Sequence, residues 1–174
     1  IEKERGRYDW GELDWYLWEA GKRDGVEITL AVGQKVPRWP ECWLPDWFGQ
    51  MNQSTQRQAV LEMISAVVTH VGSDPVVTRW QVENEPFLAF GEGCPAITSD
   101  ELEQEIDLVR SLDDRPVQLT VSGEQEPWLD MAARADVLGL SLYRLVWDDT
   151  IGFMFYPLSP EYYRVKAEAA KLLA

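Results

Sequence analysis

The residues best suited to chemistry lie in the tripeptide Asn84-Glu85-Pro86, which terminates an apolar run. A glutamate buried among aromatic groups keeps its proton to higher pH, because desolvation disfavours its charged form. Such a residue can act first as a general acid and then as a general base. The asparagine adds a hydrogen-bond donor and an acceptor without a competing charge. The tripeptide therefore indicates acid/base chemistry, with a simple strand cap as the alternative.

Aromatic residues form a second signal, because the sequence contains nine tryptophans and six tyrosines. Indole rings present flat apolar faces on which sugar rings can lie, and they also pack in protein cores. Trp39 and Trp43 lie in one Pro-rich segment, and Trp80 lies shortly before Glu85. We expect these three tryptophans to contact a saccharide, with packing as the alternative for each one.

Composition excludes several classes of partner. The chain has 30 acidic and 16 basic residues and a net charge of −14, a field that repels the phosphate backbone of a nucleic acid. No apolar run approaches the ~20 residues that span a bilayer. With one histidine and two distant cysteines, zinc and haem would find almost no ligands, so no metal or cofactor is predicted. A carbohydrate substrate is the expected partner.

The elements that position these residues alternate along the chain. Short β-branched runs predict strands, and amphipathic stretches predict helices. Their alternation indicates a parallel sheet made of βα units. The predicted strands are 26–32, 76–82, 117–121 and 137–142, and the predicted helices are 12–23, 54–71, one that begins with a capping box at Thr98, 127–135 and one from Ser159-Pro160 to the end.

Long, aromatic segments follow the predicted strands, whereas the segments before the strands are short. These long segments are 33–53, 84–98, 122–126 and 143–159. In α/β architectures, function lies at the carboxyl ends of the strands, so this asymmetry marks the working face. Cys42 and Cys94 fall in two of these segments, where they could form a disulfide or remain free thiols.

The strand that closes on Asn84 and Glu85 resembles the fourth strand of the large clan of (β/α)8 glycosidases that includes family 5 cellulases and family 42 β-galactosidases. The resemblance implies a retaining hydrolase of β-linked saccharides. It assigns Glu85 as the acid/base, and it assigns Asn84 as the residue that hydrogen-bonds the sugar 2-hydroxyl. The segment Gly6-Arg7-Tyr8-Asp9-Trp10 is similar to the one that follows the second barrel strand in that clan.

The resemblance also implies roles further along the chain. Tyr143 falls where many members of the clan have a tyrosine that hydrogen-bonds the nucleophile. Glu124, the other carboxylate at a predicted strand end, could stand in as the nucleophile, but because its strand is next to that of Glu85 we expect it to bind substrate or to support the site from behind. Glu83 alternates with Glu85, so we expect its side chain on the same side, paired with Arg38 or Arg79, with tuning of the acid as the alternative.

The predicted fold class is α/β: a (β/α)8 TIM barrel of which residues 1–174, one partial catalytic domain, supply strands three to six. The nucleophilic glutamate of strand seven has no visible equivalent. Four strands leave two unpaired edges and, we expect, an apolar inner face, which predicts a homo-oligomer or a missing barrel half. Two alternatives are a non-catalytic carbohydrate-binding barrel and a half-barrel assembly subunit.

Overall fold

The computed structural model describes residues 2–89, 93–124, 126, 128–148 and 150–173. Within these residues, helices and strands alternate as the sequence predicts. In chain order they are α1 (Gly11–Gly21), β1 (Ile28–Val32), α2 (Gln53–Val71), β2 (Val77–Val82), α3 (Ser99–Leu112), β3 (Val117–Ser122), α4 (Trp128–Ala132), β4 (Val137–Ser141), β5 (Leu145–Asp148), β6 (Gly152–Phe155) and α5 (Pro160–Leu173). A short 3-10 turn, Phe48–Gln50, precedes α2.

Strands β1 to β4 form one parallel sheet in the order β1-β2-β3-β4. Each strand is joined to the next by a segment that contains a helix, which is the arrangement of successive units in a (β/α)8 barrel. Among the described residues, β1 and β4 are the two edges of this sheet. The predicted fold class, a partial barrel made of four parallel strands, is confirmed.

The ends of the helices agree with local capping rules. Thr98 accepts a hydrogen bond from the Glu101 N–H at 3.2 Å, and the Glu101 carboxylate accepts one from the Thr98 N–H at 2.8 Å, so the predicted capping box begins α3. Asn52 caps α2 by accepting from the Thr55 N–H at 2.9 Å. Position 127, the predicted start of α4, and position 174, the predicted end of α5, lie outside the described residues.

The apolar core lies between the sheet and the helices, on what we call the helix-covered face. Alternate residues of each strand point to this face and meet the apolar stripes of α2 and α3. Its fully buried members are Ile64, Trp80, Val82, Leu102, Ile106, Val109, Val117, Leu119 and Val121, each 0% exposed.

The opposite face of the sheet, which we call the open face, is polar. The Gln118 side-chain amide donates to Gln81 Oε1 at 3.2 Å, and Gln81 Nε2 donates to Thr120 Oγ1 at 3.4 Å. Gly139 lies beside Thr120, where a Cβ would come within 2.9 Å of the threonine methyl group. The expectation of an apolar inner face is therefore wrong, because the apolar residues of the alternating strands are taken up by the helix-covered face.

Strands β5 and β6 form an antiparallel hairpin within the long segment 143–159, for which the sequence predicts no strand. Leu145 pairs with Phe155 and Trp147 with Phe153, and all four side chains are exposed on one side of the hairpin. The rings of Trp147 and Phe153 meet edge to face, with centroids 4.9 Å apart. No helix in the described part of the chain is long and apolar enough to cross a bilayer.

Candidate active site

Glu85 lies just beyond the carboxyl end of β2 and is almost fully buried, with 4% of its surface exposed. Its backbone N–H donates to Thr120 Oγ1 of β3 at 3.0 Å. Its carboxyl group forms a hydrogen bond with the side chain of Ser141 in β4. Oε1 of Glu85 is buried and has no hydrogen-bond partner among the described residues. Residues of β3 and β4 thus hold Glu85 at the end of β2, one through its backbone and the other through its carboxyl group.

The environment of Glu85 favours its protonated form. Burial raises the pKa of Glu85 above the ordinary 4.5, and the hydrogen bond from Ser141 opposes the rise. The nearby carboxylates of Glu41 and Glu124 raise this pKa further, whereas the ammonium group of Lys35 lowers it. A carboxyl group in this setting can hold a proton at a pH where an exposed glutamate has lost it.

Asn84 is held by the open face of the sheet. Its Oδ1 accepts a hydrogen bond from Thr120 Oγ1 at 3.1 Å and another from Gln81 Nε2 at 3.3 Å. Asn84 is 6% exposed, so its amide group has a fixed orientation next to Glu85. The structure thus brings together the two residues that the sequence assigns to catalysis, and Thr120 bonds to both.

Glu83 lies on the other side of the chain from Glu85, against the helices. Its carboxylate accepts hydrogen bonds from the backbone N–H groups of Gln34 and Lys35, both at 2.8 Å. It also lies against Glu105 of α3, which is paired with Arg57. Burial raises the pKa of Glu83 well above 4.5, and the negative charge of Glu105 adds to this effect.

The expected pairing of Glu83 with an arginine on the Glu85 side is wrong. Glu83 and Glu85 both have positive φ angles, 59° and 44°, so the alternation of the strand does not continue past Val82. A Cβ at Gly33 would clash with Glu83 Oε1. The glycine therefore gives the carboxylate room to reach the backbone of the loop that follows β1.

Glu124 is engaged by the last helix. Its Oε1 accepts a hydrogen bond from the Tyr163 hydroxyl group of α5 at 2.6 Å, and this bond raises the pKa of Tyr163 to about 12. Glu124 still contributes to the field at Glu85. Its predicted role in substrate binding stays a prediction.

Glu126 is a carboxylate near the site that the sequence analysis did not select. It is 8% exposed, and its Oε2 accepts a hydrogen bond from the Ser122 N–H at 2.6 Å. Burial raises the pKa of Glu126, and the charge of Glu85 raises it further. Its position two residues beyond the predicted working-face residue Glu124 was the only signal in the sequence.

The aromatic candidates separate into two groups. Trp39, Trp43 and Tyr143 are exposed by 56%, 62% and 61%, so their rings are accessible on segments that follow strands. Trp80 is 0% exposed in the core, below the guanidinium group of Arg115. The expectation that Trp80 contacts a saccharide is wrong, because its side chain alternates onto the helix-covered face.

A disulfide joins Cys42 to Cys94 and thereby links the segments that follow β1 and β2. Of the two alternatives left open by the sequence, the structure has the disulfide. Cys42 is adjacent to Trp43, whose indole N–H donates to the Arg38 carbonyl oxygen at 3.4 Å. The tryptophan-bearing segment is therefore tied to the segment that carries Glu85.

Two further features concern ligands. In the described residues, no three histidine, cysteine or carboxylate side chains are placed to hold a metal ion. A cavity of about 450 Å³ lies beside β1, between the sheet edge and the helices, and not in front of Glu85. Its walls are mainly apolar and include Leu30, Val32, Leu44, Phe48 and Val60.

No protein-family model and no curated protein matches the sequence. Solved structures do share its fold. Xylanase 10B from Thermotoga petrophila RKU-1, solved with xylobiose, has a TM-score of 0.71 and 17% identity over 99% of this chain and 54% of that one. A family 10 endo-β-1,4-xylanase from Gloeophyllum trabeum has a TM-score of 0.70 and 17% identity over 98% and 55% of the two chains.

A cold-adapted β-galactosidase from Rahnella sp. R3 has a TM-score of 0.63 and 14% identity over 87% of this chain and 34% of that one. The chain thus spans about half the length of the xylanases and about a third of the β-galactosidase. These likenesses show that the chain has the fold of roughly half a (β/α)8 barrel.

Proposed function

We propose that this chain carries the acid/base half of the active site of a retaining glycoside hydrolase that acts on β-linked saccharides. One observation carries the proposal: Glu85 is a buried carboxyl group with a raised pKa, next to an oriented asparagine at the carboxyl end of a barrel strand. The solved structures with the same fold include enzymes named as xylanases and β-galactosidases, which supports this class of substrate.

The proposed reaction has two steps. Glu85 donates its proton to the glycosidic oxygen as the bond to the anomeric carbon breaks and a second carboxylate bonds to that carbon. Glu85, now ionised, takes a proton from a water molecule, whose oxygen displaces the second carboxylate and regenerates the enzyme. Asn84 donates to the sugar 2-hydroxyl group. Trp39 and Trp43 are the proposed platforms for neighbouring sugar rings.

The second carboxylate must lie about 5 Å from the first in a retaining enzyme. Glu124 is bound to Tyr163, and Glu126 is bound to the Ser122 amide. We therefore assign the nucleophile to neither of these two carboxylates. Likeness to family 5 or family 42 in particular stays a prediction, as does the role of Tyr143.

The test is hydrolysis of β-glycosides by the full-length protein and by its Glu85→Gln variant. With a poor leaving group, which needs an acid, we expect Glu85→Gln to lose about 10²- to 10⁴-fold in kcat/KM. With a dinitrophenyl leaving group the loss in the first step should be much smaller, and added azide should restore turnover and yield a glycosyl azide. The matched control is Glu12→Gln, an exposed glutamate at the start of α1. Unchanged hydrolysis of the poor leaving group by Glu85→Gln would contradict the proposal.

A second candidate function is carbohydrate binding without turnover by a half-barrel subunit. The observation that favours it is that Glu124 and Glu126, two other carboxyl groups near Glu85 at this end of the sheet, are engaged by Tyr163 and by the Ser122 amide. Oligosaccharide binding that requires Trp39 and Trp43, together with no hydrolysis by the full chain, would favour this candidate over the enzyme.

A further inference from the structure

Backbone strain in this chain is concentrated at one place. In the described part of the chain, the non-glycine residues with positive φ are Glu41 at 73°, Glu83 at 59° and Glu85 at 44°. This conformation is disfavoured for a residue that has a Cβ atom, because the Cβ lies too close to the following carbonyl oxygen. Strained residues persist only when their surroundings hold them, and they are common at functional sites.

All three strained glutamates are bound to the same residue, Lys35. The Lys35 backbone N–H donates to the Glu83 carboxylate at 2.8 Å. Its ammonium group donates to the Glu85 carbonyl oxygen at 3.0 Å and forms an ion pair with Glu41 at 3.3 Å. A third bond, at 2.8 Å, joins the ammonium group to the Leu88 carbonyl oxygen.

Lys35 is buried, with 2% of its surface exposed. An ammonium group removed from water requires compensating partners, and here it has one carboxylate and two carbonyl oxygens. Lys35 follows β1, whereas Glu85 and Leu88 follow β2. The side chain therefore bridges the segment that bears Trp39 and Trp43 to the turn that bears the proposed acid.

We propose that Lys35 is a positioning residue for Glu85, which fixes the peptide of the strained turn and places one buried positive charge beside the proposed acid. The inference rests on the proposed function for its catalytic meaning. The contacts themselves are independent of that function. Lys35 acts through Glu85 and is not itself assigned to contact the substrate.

The charged and titratable groups around Glu85 come from every neighbouring segment. Lys35 and Glu41 lie in the segment after β1, and Glu124 and Glu126 lie in the segment after β3. Ser141 of β4 supplies a neutral hydrogen bond. Lys35 and Glu41 act on the pKa of Glu85 with opposite signs, since the ammonium group lowers it and the carboxylate raises it.

The opposite effects of Lys35 and Glu41 on the pKa of Glu85 provide the test. The full chain, with ¹³C-labelled glutamate carboxyl groups, is titrated by NMR, and the Glu85 signal is assigned by its loss in Glu85→Gln. In Lys35→Met we expect the acid dissociation constant of Glu85 to fall about tenfold, because a nearby positive charge is lost. In Glu41→Gln we expect this constant to rise, because a nearby negative charge is lost. Lys22→Met, an exposed lysine paired with Glu19, is the control for the change in charge.

Simple loosening of the turn would move the pKa of Glu85 in the same direction in both variants. Shifts of the same sign, or no shift in either variant, would overturn the proposal. If Lys35→Met fails to fold, Glu41→Gln decides alone, because a glutamine can keep a hydrogen bond to Lys35. An unchanged or raised Glu85 pKa in Glu41→Gln then overturns the proposal.

Measurements of activity distinguish the proposed function from the proposed role of Lys35. If the wild-type chain hydrolyses a glycoside, we expect Lys35→Met to lower kcat with little change in KM and to move the alkaline limb of the pH–rate profile upward. Lys35→Arg, which keeps the charge, should leave that limb close to its wild-type position. If the wild-type full-length protein shows no hydrolysis, the proposed function fails, and the NMR titration still decides whether Lys35 positions Glu85.

Discussion

At the scale of single residues, the site depends on small hydroxyl groups in neighbouring strands. Thr120 Oγ1 accepts from the Glu85 N–H and donates to Asn84 Oδ1, so one side chain fixes both candidate catalytic residues. Ser141 provides the matching contact from β4. These hydroxyl groups hold Glu85 and Asn84 without adding a charge that would compete for the proton of the carboxyl group.

We expect Thr120→Val to destabilise the chain by about 1–3 kcal/mol, because a buried N–H and a buried carbonyl oxygen lose a partner while the side-chain shape is kept. Urea denaturation followed by circular dichroism measures the free energy of unfolding. Thr69→Val, at an exposed position of α2, makes the same chemical change and should alter stability little. Equal stability of the two variants would show that the Thr120 bonds are dispensable.

The sequence predicts some site residues and not others. Asn84 and Glu85 are found because they are adjacent and follow a strand. Lys35 is not found, because its role arises from contacts with residues about 50 positions away. Trp80 is misassigned because residue type does not reveal which face of a strand a side chain occupies.

At the scale of elements, a buried carboxyl pair joins the end of β2 to α3. Glu83 and Glu105 are both 0% exposed, and Arg57 is the cation that reaches Glu105. Burial raises the pKa of both carboxyl groups above 4.5. Two adjacent buried carboxyl groups can share one proton, which lets Glu83 bind the backbone of the loop after β1 without a second full charge.

This pair should make the stability of the chain depend on pH. Between the unfolded pKa near 4.5 and the raised folded pKa, the folded chain binds more protons than the unfolded chain. The free energy of unfolding contributed by the pair is therefore fully present below pH 4.5 and falls as pH rises through this window. Residue 83 cannot ionise in Glu83→Gln. We therefore expect the free energy of unfolding of this variant to fall less than that of the wild type as pH rises.

Urea denaturation at a series of pH values from about 4.5 upward gives the slope of unfolding free energy against pH for the wild type and for Glu83→Gln. Glu85 and Glu126 also have raised pKa values and contribute a slope of the same sign, and this part remains in the variant. Glu12→Gln is the exposed control. Parallel slopes for Glu83→Gln and the wild type would rule out titration of the pair.

The elements were predicted more completely than the site, because periodicity is a local signal. The run that ends at Val82 is rich in β-branched and aromatic residues, and Thr98 and Glu101 predict the start of α3. The β5–β6 hairpin was missed because its pairing depends on aromatic contacts across strands. The Glu83 orientation was missed because a positive φ angle cannot be deduced from alternation.

At the scale of the whole molecule, we expect the unpaired edges of the sheet to drive association more than its open face does. The open face is lined by Gln81, Gln118 and Thr120, so it does not by itself drive association. Strands β1 and β4 have unpaired edges within the described sheet. Such edges pair readily with another strand.

We expect the isolated chain to self-associate through these edges, as dimers or larger species in multi-angle light scattering. Thr29→Lys places a charge on the exposed edge strand β1 and should shift the population towards monomer. Thr69→Lys adds the same charge to α2 and should not. A monodisperse wild-type monomer would contradict this prediction.

Each strand has one side on the helix-covered face and the other on the open face, and this division affects how sequences with this fold can diverge. Side chains on the helix-covered face hold the core, so replacing them would endanger folding. Side chains on the open face contribute few apolar contacts to the core, and they are directed towards the space in front of the sheet. New specificities can therefore accumulate on one side of each strand while the other preserves the architecture, and two chains can then keep the same shape after most of their residues have changed.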